Sequence, residues 1–386
     1  MMWEPSYVPG GTEGSPLGNT HAEFPPPNLP MFSLFRRRLR DRAKAFQPFE
    51  RQRCCGSALF TGSVAYVGSE KGRPRVIGPE TCGSVWACPV CSARIRRERA
   101  AEIKAAVEHH GSEHVVMVTL TVRHEYGEAF KPMAKNIALA FRKLLGGRQW
   151  ERLCETYGVE HYVRGVETTH GANGWHPHVH ALFFLTHKPS DAEMKELEVQ
   201  MGELWASRVA RVFGASNVPS AEYGVRVTRC HDGTYLSKMG LEMTDPGTKE
   251  GRRGNRGPWQ ILEDATDGDK SSIAIWKEYV EGTRGHRALT WSKGAKKALG
   301  LGEEKSDEEI AKEEASVGND EQETMRVVRG EVWRAACARH VEAPTLIYAA
   351  LLLAGSEGAA RLTYELAGLP YDEKAVEVRS CRREAG

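Results

Sequence analysis

The amino-acid sequence predicts an α+β fold: an antiparallel sheet with two helices on one face, connected as a split βαβ unit. Three observations predict it. Between residues 115 and 229, strand-like and helix-spaced segments follow one another in the order β-α-β-β-α-β. The two middle strands are separated by Gly171-Ala172-Asn173-Gly174, a hairpin signal. The second of them, Trp175–Thr186, alternates histidine with apolar residues at the strand period of two.

The elements are justified in turn. Residues 1–30 are rich in Pro, Gly and polar residues without periodicity and read as disordered. Residues 31–110 form a basic, cysteine-rich segment in which Phe32–Phe46 is amphipathic and a helix is expected over Ser92–His109. The core domain spans 111–302. There Val115–Val122 is a β-branched strand, and Glu128–Leu145 has helical spacing at Phe130, Met133, Ile137, Phe141 and Leu144. Val159–Thr168 and Trp175–Thr186 are strands, Pro189–Phe213 is a helix, Glu222–Arg229 a strand, and Thr234–Glu242 looks helical. In this topology the first and third strands are central neighbours. The histidine strand then lies mid-sheet, and the face without helices is open to a ligand. Residues 303–325 read as an acidic linker, and 326–386 as a helical C-terminal region around Val332, Trp333, Leu346, Leu351 and Leu362.

Composition narrows the function classes. The 386 residues suffice for about two domains. No apolar run approaches the length of a membrane span; Leu346–Ala354 reads as a buried helix. No basic-then-apolar leader opens the chain, so a cytoplasmic location without membrane contact is expected. The net charge of +2 hides an asymmetry: residues 303–325 hold ten acidic against two basic side chains, a balance of −8, which leaves +10 on the rest. Basic clusters at Arg36–Arg40 and at Arg94, Arg96, Arg97 and Arg99 suggest a polyanion such as DNA; a solvated helix face is the equal alternative for either alone.

Two groups of residues suggest metal chemistry. His176, His178 and His180 fall on one face of a strand, an arrangement suited to a divalent ion rather than to three separate packing roles. With the hairpin register set by Gly171–Gly174, His170 faces Trp175 and Glu167 faces His178, adding a carboxylate; a slip of one residue would remove it. Imidazoles plus a carboxylate suit Mg²⁺ or Mn²⁺. Separately, Cys88-Pro89-Val90-Cys91 is a CxxC knuckle with Cys82 just before it. Cys55 (or Cys54) would complete a four-thiolate Zn²⁺ site; a redox CxxC or unrelated buried thiols are the alternatives. Finally, Tyr235 and Lys238 lie one helical turn apart, a nucleophile with an ammonium beside it; by itself such a pair is a weak signal.

Taken together these residues resemble the HUH endonucleases, specifically the rolling-circle plasmid replication initiators. Val118-Thr119-Leu120-Thr121 is similar to the family's first motif, His178-Val179-His180 to its metal motif, and Tyr235 through Lys238 to its tyrosine motif, in the family's order. The Cys82 to Arg96 segment, Trp276-Lys277-Glu278-Tyr279 and the run from Arg284 to Ser292 are similar too, so the resemblance covers roughly residues 50–302.

The resemblance implies a ferredoxin- or RRM-like HUH nuclease core. In it, His178, His180 and Glu167 hold Mg²⁺ or Mn²⁺, with His176 an extra ligand or substrate contact. Tyr235 attacks a phosphodiester of single-stranded or hairpin origin DNA, leaving a 5′-phosphotyrosine link and a 3′-hydroxyl primer, with Lys238 neutralising charge. Host helicase and polymerase are the implied partners. One departure concerns termination: where some initiators carry a glutamate four residues before the tyrosine, this chain has His231. Asp232 is the best substitute by spacing, and a second tyrosine such as Tyr223 stays open. A relaxase or transposase with the same chemistry is the alternative, although relaxases place the tyrosine before the histidines and such transposases are shorter. A non-catalytic zinc-containing DNA-binding regulator and a hydrolase of a small substrate are the alternatives of other classes.

Overall fold

A computed structural model describes residues 30–60, 62–68, 74–230, 255–312 and 323–381. Asp232, Tyr235 and Lys238, with the helix expected over 234–242, lie outside the described residues, as do residues 1–29. Nine strands occur among the described residues: β1 (Ser63–Val67), β2 (Arg75–Ile77), β3 (Val115–Thr121), β4 (Val159–Gly171), β5 (Gly174–Leu185), β6 (Val225–Arg229), β7 (Leu289–Trp291), β8 (Glu323–Arg329) and β9 (Glu377–Cys381). They form two antiparallel sheets.

The larger sheet has the order β6-β3-β5-β4-β7. The first and third strands of the β-α-β-β-α-β unit, β3 and β5, are therefore neighbours at its centre. The helices Phe130–Leu144 and Asp191–Val212 connect the unit, and both pack on the same face. Alternation explains why. Val116, Val118 and Leu120 of β3 and Val179, Ala181 and Phe183 of β5 point to that face, where they bury Ile137, Phe141, Met201 and Trp205. The second helix opens with a capping box: Ser190 accepts from the Glu193 N–H, and Glu193 returns to the Ser190 N–H at 2.7 Å.

The opposite face is not open along its whole length, contrary to the expectation. The helix Pro89–His110 lays Ile103, Ala106 and Val107 against Val115, Leu182 and Phe184, with Ala295 and Leu299 closing the edge. Only the other half of that face, which carries the histidines, is uncovered by this layer. The sequence reading also lacked a fifth strand. β7 extends the sheet beyond β4, pairing Leu289 with Gly165 and Trp291 with Val163.

A second sheet, β2-β1-β8-β9, lies outside the predicted core. It joins the two ends of the chain, pairing Ser63 with Arg329 and Val67 with Met325. The helices Gly330–Arg339 and Ala343–Ala367 cover it through Val332, Trp333, Ile347, Leu351 and Tyr364. The acidic stretch 303–325 holds the helix Asp307–Lys312, whose Ile310 and Ala311 are buried, and the first residues of β8. Ala343–Ala367 is long and apolar enough by composition to cross a membrane, which the sequence reading did not foresee. Half of its most apolar window is buried, and Gly355 breaks its helical geometry at φ 65°.

One carboxylate couples the histidine strand to the C-terminal part of the core. Glu278, on the helix Lys270–Thr283, accepts the Phe130 N–H at 2.7 Å and the Trp175 indole N–H at 3.0 Å. Phe130, Trp175 and Tyr279 stack around it, with ring centroids 4.5 to 5.9 Å apart. Glu278→Ala leaves both donors without their acceptor and is expected to destabilise the fold by about 2 kcal/mol, read as a shift in the urea midpoint.

Candidate active site and metal centre

The hairpin β4–β5 builds the first site. Gly171 pairs with Gly174, so Ala172 and Asn173 form a two-residue loop, and Gly174 adopts φ 80° as such a turn requires. The register then pairs His170 with Trp175, Thr169 with His176 and Glu167 with His178. On the other side, β3 pairs Thr121 with His178 and Thr119 with His180. Glu167, His176, His178, His180, Thr119 and Thr121 thus share one face.

Their contacts are specific. His180 is held on both nitrogens: Nε2 lies 3.1 Å from Glu167 Oε2, and Nδ1 lies 3.2 Å from Thr119 Oγ1. The ring centroids of His176 and His178 are 4.2 Å apart, and those of His178 and His180 6.1 Å. Burial, with His176 and His180 beside it, lowers His178 to a pKa of about 3. Burial and His124 lower His176 to about 4. Both rings are neutral at physiological pH, the form that ligates metal.

His124 is a member of this group that sequence reasoning missed. Its ring lies 4.4 Å from that of His176. Its Nδ1 must donate to the Asn173 carbonyl at 2.9 Å, which directs the lone pair to Nε2. Nothing in the chain flags a lone histidine beyond the end of β3. It arrives because Asn217 ties down its loop, donating to the Arg123 carbonyl and to Glu128 at 3.0 Å each.

The second site is the thiol cluster. Cys55, Cys82, Cys88 and Cys91 are all buried, with their sulfurs within 4.8 Å of one another. The measured Sγ–Sγ separations are 3.7 Å for Cys55–Cys88, 3.7 Å for Cys55–Cys91 and 3.8 Å for Cys82–Cys91. A tetrahedral zinc with bonds of about 2.3 Å has sulfur–sulfur edges of about 3.8 Å, so the four thiols fit that ion. The structure selects Cys55 over Cys54, which is only partly buried. Hydrogen bonds from the other three thiols, reinforced by Arg40, hold the Cys55 thiol well below its ordinary range, while Cys82 and Cys88 are pushed up. Among the described residues this is the one group of three or more His, Cys, Asp or Glu donors drawn that closely together. The histidine donors are spread more widely, with Glu167 and His180 in direct contact.

The helix Pro89–His110 starts inside the cluster, with Cys88 as its N-cap, and carries the four arginines assigned to DNA. The structure separates them. Arg99 binds Glu102 and Asp307, and Arg94 donates to the Ala311 carbonyl at 2.9 Å, so both are engaged internally. Arg96 is buried, donating to Ser92 at 2.8 Å. Burial lowers its pKa, against the pull of Tyr279, Glu167 and Asp307, which places its charge near the histidine site. Arg97 is the exposed one.

Residues 74–194 match the family model described as replication protein, a segment that includes Cys82, Cys88, Cys91 and the β4–β5 hairpin. "Protein rep" of Streptomyces lividans is 27% identical, the alignment covering 58% of this chain and 65% of that protein. A neomycin resistance protein of Streptomyces cyanogenus is 26% identical over 31% of this chain and 33% of its own length. The chain thus spans less than two thirds of the curated relatives it matches. No solved structure matches it.

Two outcomes are expected. Purified protein carries about one zinc per chain, and Cys91→Ser loses it together with part of the thermal midpoint, measured by metal analysis and calorimetry. His178 and His176 titrate far below the unfolded value of about 6.5, so the unfolded chain binds protons that the fold refuses, and stability falls as pH drops below about 6.5. In His178→Gln the drop in urea midpoint between about pH 7 and pH 5 is correspondingly smaller.

Proposed function

We propose that this chain, whose residues 74–194 carry a replication-protein domain, initiates rolling-circle plasmid replication by nicking one strand of origin DNA. The observation that carries the reading is the register that sets Glu167 opposite His178 on the histidine face, inside the matched segment. The strand order β6-β3-β5-β4 supports an RRM-like HUH core.

His178, His180 and Glu167 would hold Mg²⁺ or Mn²⁺, with His176 and His124 adjoining. The donor set fits: imidazoles and a carboxylate on one face, and Glu167 and His180 now sharing a proton where they would share the ion. Bound there, a divalent cation supplies positive charge to a phosphodiester oxygen. Thr119 fixes the His180 ring through Nδ1, as ligand-orienting partners do. Tyr235 is the nucleophile. Its phenolic oxygen bonds to phosphorus, the bond from phosphorus to the 3′ oxygen breaks, and the released 3′-hydroxyl primes synthesis. Lys238 neutralises charge on the phosphate or phenolate, and Asp232 serves termination. Support for Tyr235 comes from the resemblance of Tyr235 through Lys238 to the family's tyrosine motif, which follows the histidine motif in the family's order. The substrate is single-stranded or hairpin origin DNA, handed to host helicase and polymerase.

The thiol cluster, the tightest donor group among the described residues, favours a second reading as a zinc-containing DNA-binding regulator. One experiment separates them. Incubation with Mn²⁺ and single-stranded origin DNA, followed by peptide mass spectrometry, is expected to yield a nucleotide adduct on Tyr235. Tyr235→Phe abolishes nicking and keeps binding, and His178→Ala lowers metal-dependent cleavage by at least about a hundredfold. Binding without any adduct supports the regulator, and nicking by Tyr235→Phe refutes the nucleophile.

A further inference from the structure

We propose that the cavity between the helix Pro30–Ala43, the smaller sheet and the helix Pro89–His110 binds a nucleotide, its phosphate held by Arg37, Arg94 and Lys312. The cavity measures about 450 Å³. Among the described residues its charged lining is one-sided: Arg37, Arg40, Arg94 and Lys312 against Glu80. Arg40 has a separate role. It is 5% exposed, is paired with Asp41 at 2.8 Å, and faces Cys55 and Cys88 of the thiol cluster.

Among the described residues the other three cations make no ion pair with a carboxylate. The Arg37 guanidinium lies 3.7 Å from the Tyr348 ring centroid, and its Nε is buried without a hydrogen-bond partner. Burial, with Arg40 and Arg94 nearby, brings Arg37 down to a pKa of about 10, against the pull of Tyr348 and Asp41. Arg94 uses Nη1 on the Ala311 carbonyl, and Lys312 Nζ lies 5.6 Å over the Phe60 ring. Thr81 Oγ1, also in the lining, is buried and unpartnered.

Half-buried Arg37 and Arg94 and the exposed Lys312 line one cavity; like charges gathered there call for an anion, and guanidinium forks match phosphate oxygens. The remaining wall is apolar, formed by Val76, Ile77, Pro79 and Val90, with Phe60 58% exposed beside Lys312. Such a wall suits a base better than inorganic phosphate alone. None of these side chains belongs to the histidine face.

The test is calorimetric titration of the full chain with deoxyadenosine 5′-monophosphate, deoxyadenosine and a short oligothymidylate. The nucleotide is expected to bind at least tenfold more tightly than the nucleoside. Lys312→Ala and Arg94→Ala are each expected to weaken it about tenfold with an unchanged circular dichroism spectrum. Lys312 is exposed and makes no hydrogen bond among the described residues, so that variant keeps the test sound if Arg94→Ala fails to fold. Binding of the mononucleotide identifies a free nucleotide as the ligand. Binding of the strand alone, weakened by the same variants, identifies a nucleotide of DNA. Equal binding by wild type and both variants, or binding of neither probe, overturns the proposal. A chain that never nicks DNA can still pass, so this inference and the proposed function fail separately.

Discussion

The period of two in β5 is the constraint on which the larger sheet and its site depend. Val179, Ala181 and Phe183 are drawn into the core beneath the two connecting helices, and that commitment sends His176, His178 and His180 to the other face. A slip of one residue against β3 or β4 would bury imidazoles and expose the apolar set, so the hydrophobic effect holds the register that the chemistry needs. The two-residue loop at Ala172-Asn173 and the Glu278 clamp on Trp175 pin the same register from one end.

The helix Pro89–His110 links the parts of the molecule. Its first turn completes the thiol cluster, Arg96 carries positive charge toward Glu167, and its last turns cover half of the histidine face. Metal bound by the thiols would therefore act at a distance, by fixing the start of the element that limits access to the imidazoles. This role is structural and agrees with the closed character of a four-thiol site, which leaves no position for a substrate.

The smaller sheet assembles from the two ends of the chain. β1 and β8 are separated by more than 250 residues, yet they pair along their length. With the helices behind it, this sheet walls one side of the basic cavity, whose other side is the thiol-bearing region. The anion-seeking surface is thus divided between segments, and the basic runs seen in the sequence are reassigned: Arg40 and Arg99 to internal ion pairs, Arg37 and Arg94 to the cavity.

The sequence by itself determined the strands and two connecting helices of the β-α-β-β-α-β unit and the face on which the histidines lie, because alternation and helical spacing are local properties read residue by residue. It offered the pairing of Glu167 with His178 only on condition that the four residues Gly171–Gly174 close the hairpin, and the structure fixes that register by pairing Gly171 with Gly174. It also named the four cysteines, leaving open the choice between Cys54 and Cys55 and the alternative of a redox pair or unrelated thiols; their convergence is a tertiary fact. Tertiary structure alone decided the rest. β2 and β7 have only three residues each, and β1 and β9 pair with β8 across long stretches of chain, so local pattern carried no sign of them. His124 joins the imidazoles only through Asn173 and Asn217, and Arg37, Arg94 and Lys312 meet only when three distant segments close around one cavity. Such convergence rests on contacts between segments whose spacing in sequence sets no distance in space.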